Sequence, residues 1–369
     1  MQQKYNITGK IFTISLIISF LSILNNTFFS FFSSFALYVF FFTSVILIYL
    51  KGSINKKVLV YFIFTAIYLC ICTIINNGGI GSIITYITAI FVIYGFSDLR
   101  ISNDVRNNIG IFLIFIMIFL AIKSIQYSED WMFHRYNSIN PNIMGLFTMY
   151  AYIYASSLVK IGKKIKFMLI LALILSLINY AARGVLISSI FFIVLGDLLL
   201  EKINKKMLLH LGFCIITIGI MFPILYLVLH ENNMSLNLLG KPLYTGREAI
   251  WINMFNAFSR DLWSIFLGLG SHVNLWEGMP LNVHNNYYAM IVNFGVLSLI
   301  LYFCFLYFIY IRIDMINHNQ IKRYIIGFYS STMLLGVIEV TTLWATIFAL
   351  SFGTIALAVS ENSAMKEYV

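Results

Sequence analysis

The sequence predicts an all-α, polytopic integral membrane protein of about twelve transmembrane helices, with one long outer-face loop that carries an amphipathic helix. Three observations predict it. Of 369 residues, 60% are hydrophobic and only 10% charged, far from the balance of a soluble globular domain. Apolar runs long enough to cross ~30 Å of hydrocarbon as helices recur along the whole chain. Lysines and arginines gather in alternate connections, the pattern of loops sorted by charge to one side of a bilayer. No repeat, low-complexity tract or soluble domain interrupts, so residues 1–369 read as a single membrane domain.

In chain order the runs are 11–24, 28–50, 58–75, 80–96, 109–122, 142–159, 167–179, 184–200, 207–229, 285–310, 324–338 and 342–359. The first, preceded by Lys4 and Lys10, has the make-up of a signal peptide. No small-residue cleavage site follows and a second run begins almost at once, so an uncleaved helix is expected. Basic residues then collect at Lys51, Lys56 and Lys57; at Arg100 and Arg106; at Lys160, Lys163, Lys164 and Lys166; at Lys202, Lys205 and Lys206; and at Arg312, Lys322 and Arg323. With Lys4, Lys10 and Lys366 these make 18 of the 24, which puts both termini in the cytoplasm. The net charge of +10 is thus a topology signal; no groove or motif collects the basic residues for nucleic acid. Cys70, Cys72, Cys214 and Cys304 all fall inside runs and are expected to pack in the core. No His/Cys/Asp/Glu cluster has metal spacing, so neither metal nor cofactor is expected.

One connection breaks the pattern. Residues 230–284 form an outer-face segment of roughly fifty residues where every other loop is short, and long loops in compact proteins carry function. Within it Thr245 and Glu248 have capping-box spacing, and Trp251, Met254, Phe255, Phe258, Leu262 and Ile265 recur at helical period. A helix is expected from near Thr245 to near Gly268, its apolar stripe lying on the membrane surface or against the bundle. Its N-terminal amides and positive dipole end make an anion site beside Arg247. Arg183, in "NYAARGVLISS", sits on the outer turn before the eighth run, again at a helix start. Two arginines so placed clamp a phosphate or pyrophosphate through bidentate hydrogen bonds. The plainer readings are a solvated loop charge for Arg247 and snorkelling to the interface for Arg183. His284 stands where the long segment meets the tenth run; a histidine there is either an interfacial hydrogen-bonding amphipath or a base for a hydroxyl nucleophile.

Together "NPNIMGLFTMYAY", "ARG", "TGREAIW", "LGLGSH" and "HNNYYAMIVNFG", in this order and at these places in the topology, resemble the O-antigen polymerase and O-antigen ligase superfamily over roughly residues 140–310. The resemblance implies a GT-C-like membrane fold in the bacterial inner (cytoplasmic) membrane. It implies glycosyl transfer at the outer face from an undecaprenyl-pyrophosphate-linked oligosaccharide, with no nucleotide sugar. It also implies membrane lipid, a flippase and a chain-length regulator as partners. By the same resemblance Arg183 and Arg247 engage the pyrophosphate and His284 activates the acceptor hydroxyl.

Such a leaving group needs charge stabilisation more than strong acid catalysis, so the chemistry suits those residues. Asn285, Asn286 and Tyr287 would orient sugar or His284 itself. Asn140 and Asn142 around Pro141 would hold open the mouth of the sixth run, although a helix cap with proline in its first turn explains them equally well. Arg135, Trp131 and Arg260 are sugar or phosphate contacts or else surface packing. A polymerase, whose acceptor is another lipid-linked repeat unit, is favoured over a ligase acting on lipid A-core or protein, because the ligase-like ending after Gly295 is imperfect at Ser298. A flippase or other transporter is the rival from another class. It is disfavoured because ionisable groups such as Asp197, His210 and Glu339 fall near span ends rather than at membrane depth.

Overall fold

The computed structural model describes residues 2–21, 26–50, 56–76, 78–95, 101–130, 140–231, 237–238, 241–242, 247–270, 273, 275, 283–314, 316, 318–340 and 345–366. Each apolar run, wherever described, is helical over most of its length. The order is α1 (Gln2–Leu21), α2 (Asn26–Leu50), α3 (Lys56–Ile75), α4 (Ile80–Gly95), α5 (Asn103–Asp130), α6 (Pro141–Leu158), α7 (Lys163–Asn179), α8 (Arg183–Phe192) and α9 (Lys205–Glu231). A two-residue antiparallel pair, β1 (Asn237–Leu238) with β2 (Lys241–Pro242), then precedes α10 (Arg247–Arg260), α11 (Trp263–Leu267), α12 (Asn286–Phe294), α13 (Val296–Arg312), α14 (Asn319–Phe328) and α15 (Ala345–Lys366).

Among the described residues α3, the Asn103–Ile125 part of α5, and α9 are long and apolar enough to cross a membrane. Their outer faces carry what hydrocarbon, not water, accommodates. Val60, Phe64, Ile67, Ile71 and Ile74 are exposed along α3, and Ile111, Phe115, Ile118, Ile122 and Ile125 along α5. The alternating four- and three-residue steps draw one continuous apolar stripe down each helix, as a lipid-facing surface requires. At the opposite extreme lies α6, in which every residue from Met144 to Leu158 is buried. A helix apolar all round belongs at the centre of a bundle, and its tyrosine hydroxyls must then find partners there. Tyr154 donates to the Leu350 carbonyl at 2.7 Å; Tyr150 donates to the Ser331 carbonyl and meets Ser351 Oγ at 2.6 Å.

Two helices do not end cleanly. α8 widens into a π-helical stretch, Ile193–Leu198, and then a 3₁₀ turn, Leu200–Lys202; α14 likewise continues through Tyr329–Leu334 and Leu335–Val337. Such breaks strand backbone carbonyls that must be satisfied from outside the helix. Buried Lys322 donates to the carbonyls of Leu200 and Ile203, and Arg323 to those of Gly196 and Ser156. Asp197 is held between Lys166 and the Tyr152 hydroxyl.

Three expectations need correction. The amphipathic helix is two helices, because the Asp261 carboxylate accepts from the Trp263 amide at 3.0 Å and starts α11 afresh; Leu262 is exposed at the break. The stripe of α10 faces the bundle: Trp251, Met254 and Phe258 are buried, with the Trp251 ring edge-on to Tyr226 at 4.9 Å. The run 285–310 is likewise broken at Gly295, whose φ is 79°. A Cβ there would lie 1.8 Å from the Phe266 carbonyl oxygen, so the end of α11 can dock only because the residue is glycine. Of the four cysteines, only Cys72 is buried; Cys70, Cys214 and Cys304 lie on outer helix surfaces rather than in the core.

Candidate functional site

Arg183, Arg247 and His284 are each delivered to one end of the bundle by a helix start. α7 ends in a Schellman motif in which the amides of Ala181 and Ala182 reach back to the carbonyls of Ile178 and Leu177. The reversal puts Ala181 at φ 48°, a left-handed position normally given to glycine. Arg183 emerges directly afterwards as the first residue of α8, which has no side-chain cap. Arg247 opens α10, whose buried stripe fixes that helix on α9.

His284 is also left-handed, at φ 52°. Its neighbours on both sides are tied. Trp251 Nε1 donates to the carbonyl of Val283 at 2.7 Å. On the other side Asn285 is fully buried: its Oδ1 caps α12 through the Tyr288 amide at 3.0 Å, and its Nδ2 donates to the carbonyls of Gly219 and Val337 at 2.9 and 2.8 Å. A non-glycine residue persists in this conformation only when its surroundings over-determine it.

Arg247 and His284 are joined by a residue that the motif reading did not include. Glu339, just beyond the 3₁₀ turn that ends α14, accepts from Arg247 Nη2 at Oε1 (2.9 Å) and lies 3.2 Å through Oε2 from His284 Nδ1. Its side chain is deeply set but 27% exposed at one edge. Burial alone would raise its pKa, yet the His284 hydrogen bond and the charge of Arg247 hold it below the ordinary glutamate value. Arg183 shows the complementary effect. Partial burial and then the like charge of Arg247 lower its pKa, and its neighbour Gly184 packs on Ile338, the residue before Glu339.

The chemistry of this arrangement follows from its charges. Two arginines at helix N-termini stand beside two carboxylates, Glu339 between Arg247 and His284 and Glu248 in the first turn of α10, and their guanidinium forks suit the oxygens of an oxyanion. From the carboxylate at Nδ1 we assign the His284 proton to that nitrogen, which makes Nε2 the basic one. At this partial exposure the ion pairs add a modest stability, and the same contacts fix the orientation of the His284 ring.

The remaining sequence candidates divide. Asn285, Asn286 and Tyr287 are buried, and Tyr287 donates from its hydroxyl to the Met333 carbonyl at 2.9 Å inside the bundle. Of the two alternatives for these residues, sugar contact or support of His284, the geometry is that of support: Asn285 is tied on three sides next to His284, and Tyr287 packs on α9 against Gly219. Arg260 is at the far end of α10, about 20 Å of helix from Arg247 at ~1.5 Å per residue, and is not brought into the cluster. Asn142 is exposed in the first turn of α6, where its backbone amide donates to the Asn140 side-chain oxygen across Pro141; the capping explanation describes what is seen. That turn is nevertheless on the same end of the bundle, since Gly145 packs against Ala182 beside Arg183. Arg135, Trp131 and Thr245 lie outside the described residues. Glu339 had a sequence signal of its own: a single carboxylate closing an otherwise apolar run demands a partner. Neither a protein-family model, nor a curated protein, nor a solved structure matches this chain.

Proposed function

We propose that the protein is a glycosyltransferase of the bacterial inner membrane, built of twelve membrane passages with both termini cytoplasmic. It transfers an undecaprenyl-pyrophosphate-linked oligosaccharide onto a sugar hydroxyl of a second lipid-linked repeat unit at the outer face. In this reading it acts as a polymerase of surface polysaccharide, supplied by a flippase and governed by a chain-length regulator. The observation that supports the reading is the meeting of Arg247 and His284 on Glu339, with Arg183 at the same end of the bundle, where its neighbour Gly184 packs on Ile338.

In the reaction the acceptor hydroxyl oxygen attacks the anomeric carbon and its proton passes to Nε2 of His284. The bond from that carbon to the pyrophosphate oxygen breaks, and the charge released there is stabilised by Arg183 and Arg247. Glu339 keeps the base oriented and stabilises the imidazolium that forms. A transporter has less support, because this charged cluster sits at a helix-end surface rather than midway along a span.

The test is the glycan profile of cells carrying His284→Ala at matched expression. Removing a general base costs 10²- to 10⁴-fold in rate. A slowed polymerase leaves single repeat units on the carrier lipid and on the final acceptor. A slowed ligase instead leaves long chains on the carrier, and an unchanged profile removes His284 as the base.

A further inference from the structure

At the end of the bundle opposite the arginine cluster, α3, α4, α13 and α15 enclose an apolar cavity of about 540 Å³, well inside the ~300–1,000 Å³ span of small-molecule and lipid sites. Its wall is aromatic and aliphatic, with Tyr61, Phe62, Phe305 and Val359 among the lining residues. Its rim is basic. Lys57 and Arg312 both line it, together with the polar Asn362 and Ser363, and among the described residues no carboxylate does. Arg312 has its guanidinium carbon over the Phe308 ring, 4.4 Å from the centroid, and 5.5 Å from that of Tyr94. Its guanidinium makes no hydrogen bond or ion pair among the described residues, although cation–π contact leaves its N–H fork available to an anion.

We infer that this cavity binds one anionic diacyl phospholipid, an acyl chain filling the apolar interior and the phosphate bridging Arg312 and the Lys57 rim. The charge pattern selects this occupant. A neutral detergent-like molecule would leave the fork unused, and a soluble anion would leave the cavity empty. Basic pockets between membrane helices take anionic headgroups for the same reason. The proposal is independent of the chemistry assigned to the arginine cluster, because nothing in it depends on glycan transfer.

The experiment is native mass spectrometry of the full chain purified from nanodiscs containing equal phosphatidylglycerol and phosphatidylcholine, with undecaprenyl phosphate as a minor component. The wild type is expected to retain one phosphatidylglycerol in preference to phosphatidylcholine by at least tenfold. Arg312→Gln should lose that preference, Arg312→Lys should keep part of it, and Val359→Phe should lower occupancy of every lipid by filling the wall. Circular dichroism and monodisperse elution establish that each variant is folded. Equal retention of the two phospholipids, retention unchanged in both Arg312→Gln and Val359→Phe, or preferential retention of undecaprenyl phosphate each overturns the proposal.

Discussion

Glu339 is the residue on which the geometry of the site turns, because one carboxylate contacts both the guanidinium of Arg247 and the ring of His284. Its pKa is held below the ordinary glutamate value of ~4.3, so its pairing favours the folded state above that pH. This contribution is lost as pH falls through the lower, folded-state value. Between about pH 5 and pH 3 the melting temperature of the wild type should therefore fall more steeply than that of Glu339→Gln, measured in the same detergent. Parallel curves for the two proteins contradict the pairing. At this scale the motifs led to Arg183, Arg247 and His284, which the structure sets at one end of the bundle. The sequence was opaque where partners lie far apart in the chain: Glu339 is 55 residues from His284 and 92 from Arg247. The partners of Asn285 were equally hidden, because Gly219 and Val337 come from distant parts of the chain.

The elements themselves were readable as apolar runs, but their interruptions were not, since hydropathy does not register a local cap or a positive φ. Asp261 splits the expected amphipathic helix with a single hydrogen bond, and Gly295 splits the tenth run to admit the end of α11. The docking of α11 is reinforced from α3, where Asn76 donates to the Leu267 carbonyl at 2.8 Å and the Tyr68 hydroxyl lies 2.6 Å from that of Phe266. Gly295→Ala combines a left-handed backbone with a clash against a carbonyl that cannot rotate away. It should cost on the order of 3 kcal/mol, read as a lower melting temperature and a reduced yield of monodisperse protein. Gly162→Ala, where no atom lies within 4 Å of an added Cβ, is the control and should leave both unchanged. A tolerated Gly295→Ala contradicts the close approach of α11.

For the whole molecule, the bulk composition and the apolar stripes of α3 and α5 agree that the protein meets hydrocarbon, whereas the orientation rests on the partition of basic residues, 18 of 24 to one side. Single cysteines in the 230–284 segment of a cysteine-free background should react with a membrane-impermeant thiol reagent applied from outside, and cysteines at 201–206 should not. The reverse pattern places the arginine cluster in the cytoplasm and removes the proposed reaction. Not every basic residue is a mere topology marker, since Lys322 is buried on the carbonyls at the end of α8, a structural use that charge counting does not reveal. The central claim is that Arg183, Arg247 and His284 together transfer a lipid-pyrophosphate-linked glycan. The most direct measurement reconstitutes the purified protein in liposomes with lipid-linked repeat units as both donor and acceptor, and follows release of the carrier pyrophosphate alongside glycan length. The wild type should lengthen the glycan with no nucleotide sugar present. Arg183→Ala and Arg247→Ala should each slow release by roughly 10- to 150-fold, from about 1.5–3 kcal/mol per charge-assisted contact, and lysine should restore only part of the rate. Release at the wild-type rate by both alanine variants, with the protein folded, contradicts the account.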